Sequence, residues 1–230
     1  MELVSELWAE MALSGKTVCL LLAAFSIYSY AVMVDRFLAL RWARQRSEAL
    51  ARRVEQADHD LPLESLQQVL ADAVQRGHCP LGTVLAGAMK EYALVVGENE
   101  SDEMVMECVE VEVGRALDVA IANLRVRLPG MATIVGVAPF LGLFGTVTGL
   151  IGAFRGIATS GGGGLTAVSA GISEALVTTV LGLFVAMPAL WAYNYFMNRV
   201  DNLAIGLHNT ASRLSGHLVR RLLRSRHAVR

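Results

Sequence analysis

The sequence has few cysteines and no spacing of cysteine or histidine that is typical of a metal site. Cys19, Cys79 and Cys108 lie far apart without a CxxC motif, which argues against a disulfide framework and against a zinc centre. There is no basic patch with interleaved aromatic residues, so we expect no nucleic-acid partner. No nucleophile, base and orienting group occur together, which disfavours an enzyme. We therefore expect no metal and no cofactor.

The sequence also lacks the basic segment that precedes the apolar core of a cleaved signal peptide. Acidic residues stand before the first apolar run instead: Glu2, Glu6 and Glu10. The run is also too long for a signal peptide, so we interpret it as a permanent span. With 54% hydrophobic and 18% charged residues in 230, the chain has the composition of a membrane protein with a soluble portion.

Three apolar segments are long enough to cross a bilayer as helices. The first lies at residues 16–36, the second at 129–155 and the third at 169–198. Arginines are concentrated after the first and third segments, at 36–53 and 199–230, and clustered basic residues mark the cytoplasmic side. We therefore expect an all-α membrane protein with three transmembrane helices, its N-terminus outside and its C-terminus inside.

This orientation assigns a side of the membrane to each remaining segment. Residues 1–15 form a short periplasmic N-terminus, and the uncharged, glycine-rich residues 156–168 form a short periplasmic loop. Residues 37–128 form a cytoplasmic helical region, and residues 199–230 form a cytoplasmic basic tail. No lysine of the P-loop pattern follows the glycines, so a phosphate cradle is set aside.

Helical patterns extend the spans into the cytoplasmic region. After the first span, one helix face carries Phe37, Leu40, Ala43, Ser47 and Leu50, which predicts that this helix continues beyond the membrane. Ser101 is a predicted N-cap. Apolar residues then recur at spacings of three and four, which predicts a long amphipathic helix with this stripe: Val109, Val113, Leu117, Ala120, Leu124 and Leu128.

One ionisable residue, Glu174, interrupts the apolar run of the third span. A carboxyl group in hydrocarbon costs several kcal/mol unless it is protonated, paired or facing water, so it marks a functional site by default. Thr178 and Thr179 follow within about one and a half turns, and a hydroxyl can hydrogen-bond either form of the acid. We interpret this part of the span as a proton or ion site.

The second span is rich in small residues. Gly142, Thr146, Gly149 and Ala153 fall on one side of a helix, a pattern that permits close helix approach in lipid. Packing in an oligomer is one explanation of the glycines, and a narrow polar pathway that includes Thr146 and Thr148 is the other. Pro139 in this span and Pro188 in the third are expected to kink or interrupt their helices.

Two segments carry a family resemblance. Residues 138–154, APFLGLFGTVTGLIGAF, and residues 171–194, GISEALVTTVLGLFVAMPALWAYN, resemble the signature of the TolQ/ExbB/MotA proton-channel family. The similarity is greatest to the TolQ and ExbB branch, which has three spans, a large cytoplasmic segment between the first two and a short external loop. In topology the resemblance covers nearly the whole chain.

The resemblance implies a multi-pass protein of the bacterial inner membrane. It implies a homopentamer whose second and third spans line a pore that holds two copies of a single-span TolR/ExbD-like partner, with inner-membrane lipids around it. By this resemblance Glu174 matches the pore glutamate, and Thr146 and Thr179 match the threonines of the second and third spans. Thr178 occupies a position that is often alanine in the family. Thr178 lies about 40° from Glu174 on an ideal helix and Thr179 about 140° away, so which hydroxyl faces the pore stays open.

The implied function is a stator or motor subunit that uses the proton-motive force and passes energy to the cell envelope through its partner. The alternative is a structural oligomeric scaffold in which Glu174 only packs. A small-solute transporter is disfavoured because the sequence shows no internal repeat and no pair of broken helices.

Overall fold

The computed structural model describes residues 13–56, 63–75, 77–97, 101–160 and 164–229. All the regular secondary structure within these ranges is α-helical, which confirms the predicted helical class. The helices are α1 (Leu13–Gln56), α2 (Leu63–Gln75), α3 (Pro80–Gly97), α4 (Asp102–Arg125), α5 (Leu128–Ser160) and α6 (Gly164–Val229).

Three of these helices are long and apolar enough to cross a membrane. The membrane-competent segments are Leu13–Glu55 in α1, Leu128–Gly156 in α5 and Gly171–Arg224 in α6. They confirm the three predicted spans. The predicted external N-terminus falls mostly on residues 1–12, which lie outside the described residues.

The chain divides into two compact units. The membrane unit comprises Met1–Asp35 and Arg127–Phe196, and the polar unit comprises Arg36–Val126 and Met197–Arg230. Within the membrane unit, Asp35 and Arg127 form an ion pair at 2.8 Å. Arg127 has a positive φ of 70°, a left-handed conformation that is uncommon for a residue with a side chain.

In the polar unit, α4 has the predicted amphipathic pattern. The Ser101 hydroxyl accepts a hydrogen bond from the backbone N–H of Met104 at 3.3 Å, which confirms the predicted N-cap. The buried face of α4 follows the predicted stripe from Val109 to Leu124 and includes Val105, Val109, Val113, Leu117, Ala120 and Leu124. The predicted last member, Leu128, is not part of this helix, because α4 ends at Arg125 and Leu128 begins α5. This face packs in a core to which α3 contributes Leu81, Val84 and Leu85.

The extension of α1 into the polar unit is confirmed, but one member of its predicted buried face is wrong. Leu40 and Leu50 are buried as expected, whereas Phe37 is 49% exposed. The buried stripe passes instead through Arg36, four residues before Leu40 and 9% exposed. Its guanidinium donates a hydrogen bond to the Leu124 carbonyl at 3.5 Å, and this bond offsets part of the cost of burying the charge.

Cys79, at the start of α3, is buried in the polar unit. Burial raises the pKa of the Cys79 thiol above its ordinary value, because loss of water disfavours the thiolate, and the smaller effects of hydrogen bonding and of Arg46 oppose it. The Arg46 side chain donates to the Gly77 carbonyl. These contacts lie beside the connection between α2 and α3.

The described parts of the predicted loop at residues 156–168 are helical in the structure. Residues 156–160 belong to α5 and residues 164–168 belong to α6. Each of these segments has one glycine and no proline, so neither contains a strong helix breaker. The helix α6 then extends 66 residues to Val229, through the part of the sequence that we predicted as a basic tail.

Pro139 and Pro188 lie inside α5 and α6. The expectation that Pro188 interrupts the third span is wrong, since α6 continues on both sides of it. A proline removes a single backbone N–H and leaves the carbonyl four residues earlier without its helical donor, which a membrane helix tolerates. A kink at either proline stays a prediction.

Candidate functional site

The two spans with the sequence signature pack closely along a seam of small residues, here called the glycine seam: Gly142, Gly145, Gly149 and Ala153 of α5 with Gly171, Ala175, Thr178 and Gly182 of α6. A methyl carbon placed on Gly182 would lie 2.7 Å from the Ala138 carbonyl oxygen. One placed on Gly171 would lie 2.7 Å from the Ala153 Cβ atom. The seam therefore leaves no space for a side chain at these positions.

This packing gives a third explanation for the small residues of the second span, beside packing in an oligomer and a narrow polar pathway. Gly142 and Gly149 contact α6 of the same chain, and packing in an oligomer is not needed to explain them. Sequence reasoning found these two glycines but missed Gly145 and Gly182. A methyl carbon on Gly145 would lie 2.6 Å from the Thr178 Cβ atom, so Gly145 forms the seat into which Thr178 packs.

Three of the predicted threonines meet at the glycine seam. The Thr178 hydroxyl donates to the Ala175 carbonyl at 2.7 Å and lies 3.3 Å from the Gly142 carbonyl. The Thr179 hydroxyl lies 3.2 Å from the same Gly142 carbonyl and 3.5 Å from the Thr146 hydroxyl. The structure thus brings the hydroxyls of Thr178 and Thr179 to one backbone oxygen, with the Thr146 hydroxyl beside that of Thr179. The sequence pattern did not identify this arrangement.

The three hydroxyls differ in exposure. Thr178 is completely buried, whereas Thr146 and Thr179 are half-buried. Thr146 also donates to the Leu143 carbonyl of its own helix at 2.6 Å. A mobile ion or proton carrier beside the seam could therefore reach Thr146 and Thr179, but not Thr178.

The Thr148 hydroxyl bonds within its own helix and not to the other three threonines. It donates within α5, to the carbonyls of Phe144 at 3.0 Å and Gly145 at 3.1 Å. A threonine that bonds back to its own helix needs no neighbour to satisfy it. Its predicted place in the pathway stays a prediction.

Glu174 is half-buried on α6. At about 100° per residue, Glu174 lies about 40° to one side of the seam residue Thr178, and Thr179 lies about 100° to the other side. Glu174 lies within electrostatic range of Cys19 of α1. The helical geometry therefore places Glu174 on the flank of the seam opposite Thr179.

No group of three or more histidine, cysteine, aspartate or glutamate side chains suited to a metal ion occurs among the residues searched, which are those the structure describes. Among the described residues, the polar groups of the glycine seam and its flanks include threonine hydroxyls, backbone carbonyls and the Glu174 carboxyl group. Such groups can accept, donate and pass on protons.

The fold is that of a multi-pass helical membrane protein, with threonine hydroxyls and a carboxyl group on two of its spans. The sequence model of the MotA/TolQ/ExbB proton channel family matches residues 77–208, more than half of the chain. The chain therefore belongs to the MotA/TolQ/ExbB proton channel family. Like the TolQ and ExbB proteins, it is a protein of the inner membrane.

Relatives from both branches match over most of their length. The Tol-Pal system protein TolQ of Pseudomonas aeruginosa is 34% identical over 203 residues, which cover 84% of this chain and 82% of the relative. The Tol-Pal system protein TolQ of Haemophilus influenzae is 29% identical over 197 residues, 85% of each chain. The biopolymer transport protein ExbB of Neisseria meningitidis is 32% identical over 187 residues, 79% of this chain and 81% of the relative.

Proposed function

We propose that this chain is a subunit of an ion-driven complex that uses the proton-motive force and passes energy to the cell envelope through a TolR/ExbD-like partner. The observation that carries the proposal is the contact between the Thr179 and Thr146 hydroxyls on two spans that the family model matches, the second of which also carries Glu174. The similarity to TolQ and ExbB proteins supports it.

The proposed orientation places the N-terminus in the periplasm and the C-terminus in the cytoplasm. Its support is the distribution of charge. The arginines that follow the first span and those near the end of α6 both belong to the polar unit. A concentration of positive charge of this kind remains on the cytoplasmic side.

In the proposed mechanism, the partner carries the second titratable group. Glu174 is the only ionisable residue in the apolar run of the third span, and a relay needs a further site that can bind the proton. Thr146 and Thr179 supply hydroxyls that accept one hydrogen bond while donating another. A proton that crosses 100 mV releases about 2.3 kcal/mol, enough to bias a small conformational step.

We further propose a homopentamer around two partner helices. Its support is the large apolar surface that a single chain leaves exposed on the signature spans, including Phe140 at 71% and Val180 at 64%. Such surface needs lipid or a neighbouring helix against it.

The test is Glu174→Gln in the chain co-purified with its single-span partner and reconstituted in liposomes. We expect proton flux to fall by about a hundredfold, the usual contribution of a positioned proton-transfer group, while the subunit stoichiometry is unchanged. Glu110→Gln, at an exposed position of α4, is the matched control and should retain wild-type flux.

The competing function is a structural scaffold, favoured by the close packing of the glycine seam. Under that function Glu174→Gln retains both assembly and envelope function, and the wild-type complex conducts no more protons than empty liposomes. Either result would overturn the proposal.

A further inference from the structure

The Gly142 carbonyl has more potential donors than it can accept. A carbonyl oxygen has two lone pairs. In the continuous helix α5, the backbone N–H of Thr146 uses one of them, since each helical N–H bonds the carbonyl four residues earlier. The hydroxyls of Thr178, at 3.3 Å, and Thr179, at 3.2 Å, compete for the other.

Each hydroxyl also has an alternative acceptor. A hydroxyl has one hydrogen and makes one strong donation at a time. Thr178 can donate to Ala175 at 2.7 Å, and Thr179 can donate to the Thr146 hydroxyl at 3.5 Å. When the Thr178 hydroxyl donates to the Gly142 carbonyl, the Thr179 hydroxyl can donate to the Thr146 hydroxyl instead. When Thr178 donates to Ala175, Thr179 is held on the backbone.

Thr178 cannot contact a moving ion itself. Its side chain is 0% exposed and is seated against Gly145 inside the glycine seam. Any effect of its hydroxyl on transfer must therefore pass through the acceptor that it shares with Thr179.

We infer that Thr178 is a positioning residue, which sets the donor direction of Thr179 by competing for the Gly142 carbonyl. This inference rests on the proposed function for its effect on ion transfer, although the competition itself does not. On this inference Thr178 does not line the proposed ion pathway, whereas the hydroxyls of Thr146 and Thr179 do.

Two substitutions separate the hydroxyl of Thr178 from its shape. Thr178→Val keeps the volume in the Gly145 seat and removes the donor, whereas Thr178→Ser keeps the donor and removes the methyl group. We expect Thr178→Val to lower proton flux of the partner-bound complex about threefold, the effect of one net hydrogen bond, and Thr178→Ser to stay near wild type. Thr133→Val is the control, because Thr133 bonds to Pro129 within its own helix.

A double-mutant cycle identifies the route of the effect. If Thr178 acts through Thr179, the loss caused by Thr178→Val disappears in a Thr179→Val background, because coupled residues are not additive. An equal loss in both backgrounds overturns the inference. The inference is also overturned if Thr178→Ser lowers proton flux and Thr178→Val does not. That result would mean that the shape of the Thr178 side chain matters and its hydroxyl does not.

A second measurement does not depend on conduction. The full chain is labelled with ¹³C in the threonine methyl groups and placed in lipid nanodiscs, and the Thr179 resonance is identified by its loss in Thr179→Val. We expect Thr178→Val to shift this resonance and Thr178→Ser to leave it in place. A resonance that Thr178→Val does not shift overturns the inference. If Thr178→Val shifts the resonance but the wild-type complex conducts no protons, the competition for the Gly142 carbonyl is supported. Only the proposed function is then refuted.

Discussion

Gly182→Ala is the substitution that most directly tests the glycine seam. The added methyl carbon would lie 2.7 Å from the Ala138 carbonyl oxygen and 3.0 Å from the Gly142 Cα atom. Both are backbone atoms, so no side-chain rotation relieves the contact. The helices must separate by roughly 0.5 to 1 Å to restore ordinary contact, and a gap of that size forfeits about a quarter to a half of each dispersion contact across it.

The expected cost follows from two opposing effects. Overpacking of this kind costs about 1 to 3 kcal/mol, and alanine gains about 0.5 to 1 kcal/mol over glycine within a helix. The free energy of unfolding should therefore fall by about 0 to 2.5 kcal/mol relative to wild type, and by about 1 to 3 kcal/mol relative to glycine-to-alanine controls that gain the same helix propensity. Separation of the helices also lengthens the hydrogen bond from the Thr179 hydroxyl to the Gly142 carbonyl, which is now 3.2 Å. Gly182→Ala should therefore alter proton flux as well as the free energy of unfolding.

The assay is unfolding by sodium dodecyl sulfate in mixed micelles, with helicity as the readout. Gly136→Ala in α5 and Gly206→Ala in α6 are the controls, because a methyl carbon at either position meets nothing within 4 Å in the chain. Both should be neutral or slightly stabilising. The reasoning is refuted if Gly182→Ala is as stable as these controls.

Two further predictions concern the polar unit. Ser101→Ala removes the hydroxyl that accepts a hydrogen bond from the Met104 N–H and should lower the free energy of unfolding by about 1 kcal/mol. Ser101→Asp should retain the cap. Equal stability of wild type and both variants in thermal unfolding would contradict this prediction. Because the pKa of the Cys79 thiol is raised by burial, the folded chain keeps this proton where the unfolded chain loses it, so stability should fall as pH rises above the ordinary thiol pKa of about 8.5. Cys79→Ala should reduce this decline, and an identical pH profile for the two chains would count against the burial effect.

Features that depend on local sequence were predicted well. The length of an apolar run determines whether a helix can cross a bilayer, and the three runs gave the three spans. A cap needs only the residue before a helix and its first turn, as at Ser101. The stripe of α4 follows from periodicity alone, because one face of that helix is buried from Val105 to Leu124.

Features that depend on which neighbour a residue meets were not predicted. Arg36 and Phe37 are adjacent in the sequence, and the apolar pattern favoured Phe37 for the buried face of α1. Arg36 is buried instead, where its guanidinium bonds the Leu124 carbonyl. Likewise, Gly145 lies three residues after Gly142 and four before Gly149, a spacing that puts it on their helix face but does not show which side chain it meets. Its role comes from the Thr178 side chain on another helix, and pairing between helices cannot be deduced from the pattern of either one.

The packing of α5 against α6 also limits how a proton-driven cycle could move this chain. Separating the helices would break the one hydroxyl bond that the Gly142 carbonyl accepts from Thr178 or Thr179, at about 0.6 kcal/mol for a hydrogen bond between membrane helices. It would also lose many dispersion contacts of about 0.1 to 0.2 kcal/mol each along the glycine seam. The hydroxyl bond and roughly a dozen such contacts together equal the roughly 2.3 kcal/mol that one proton supplies over 100 mV, and a seam of four residues on each helix makes more contacts than that. We therefore expect α5 and α6 to move as one body, with sliding confined to faces outside the seam such as Leu176 and Phe184, both about 60% exposed.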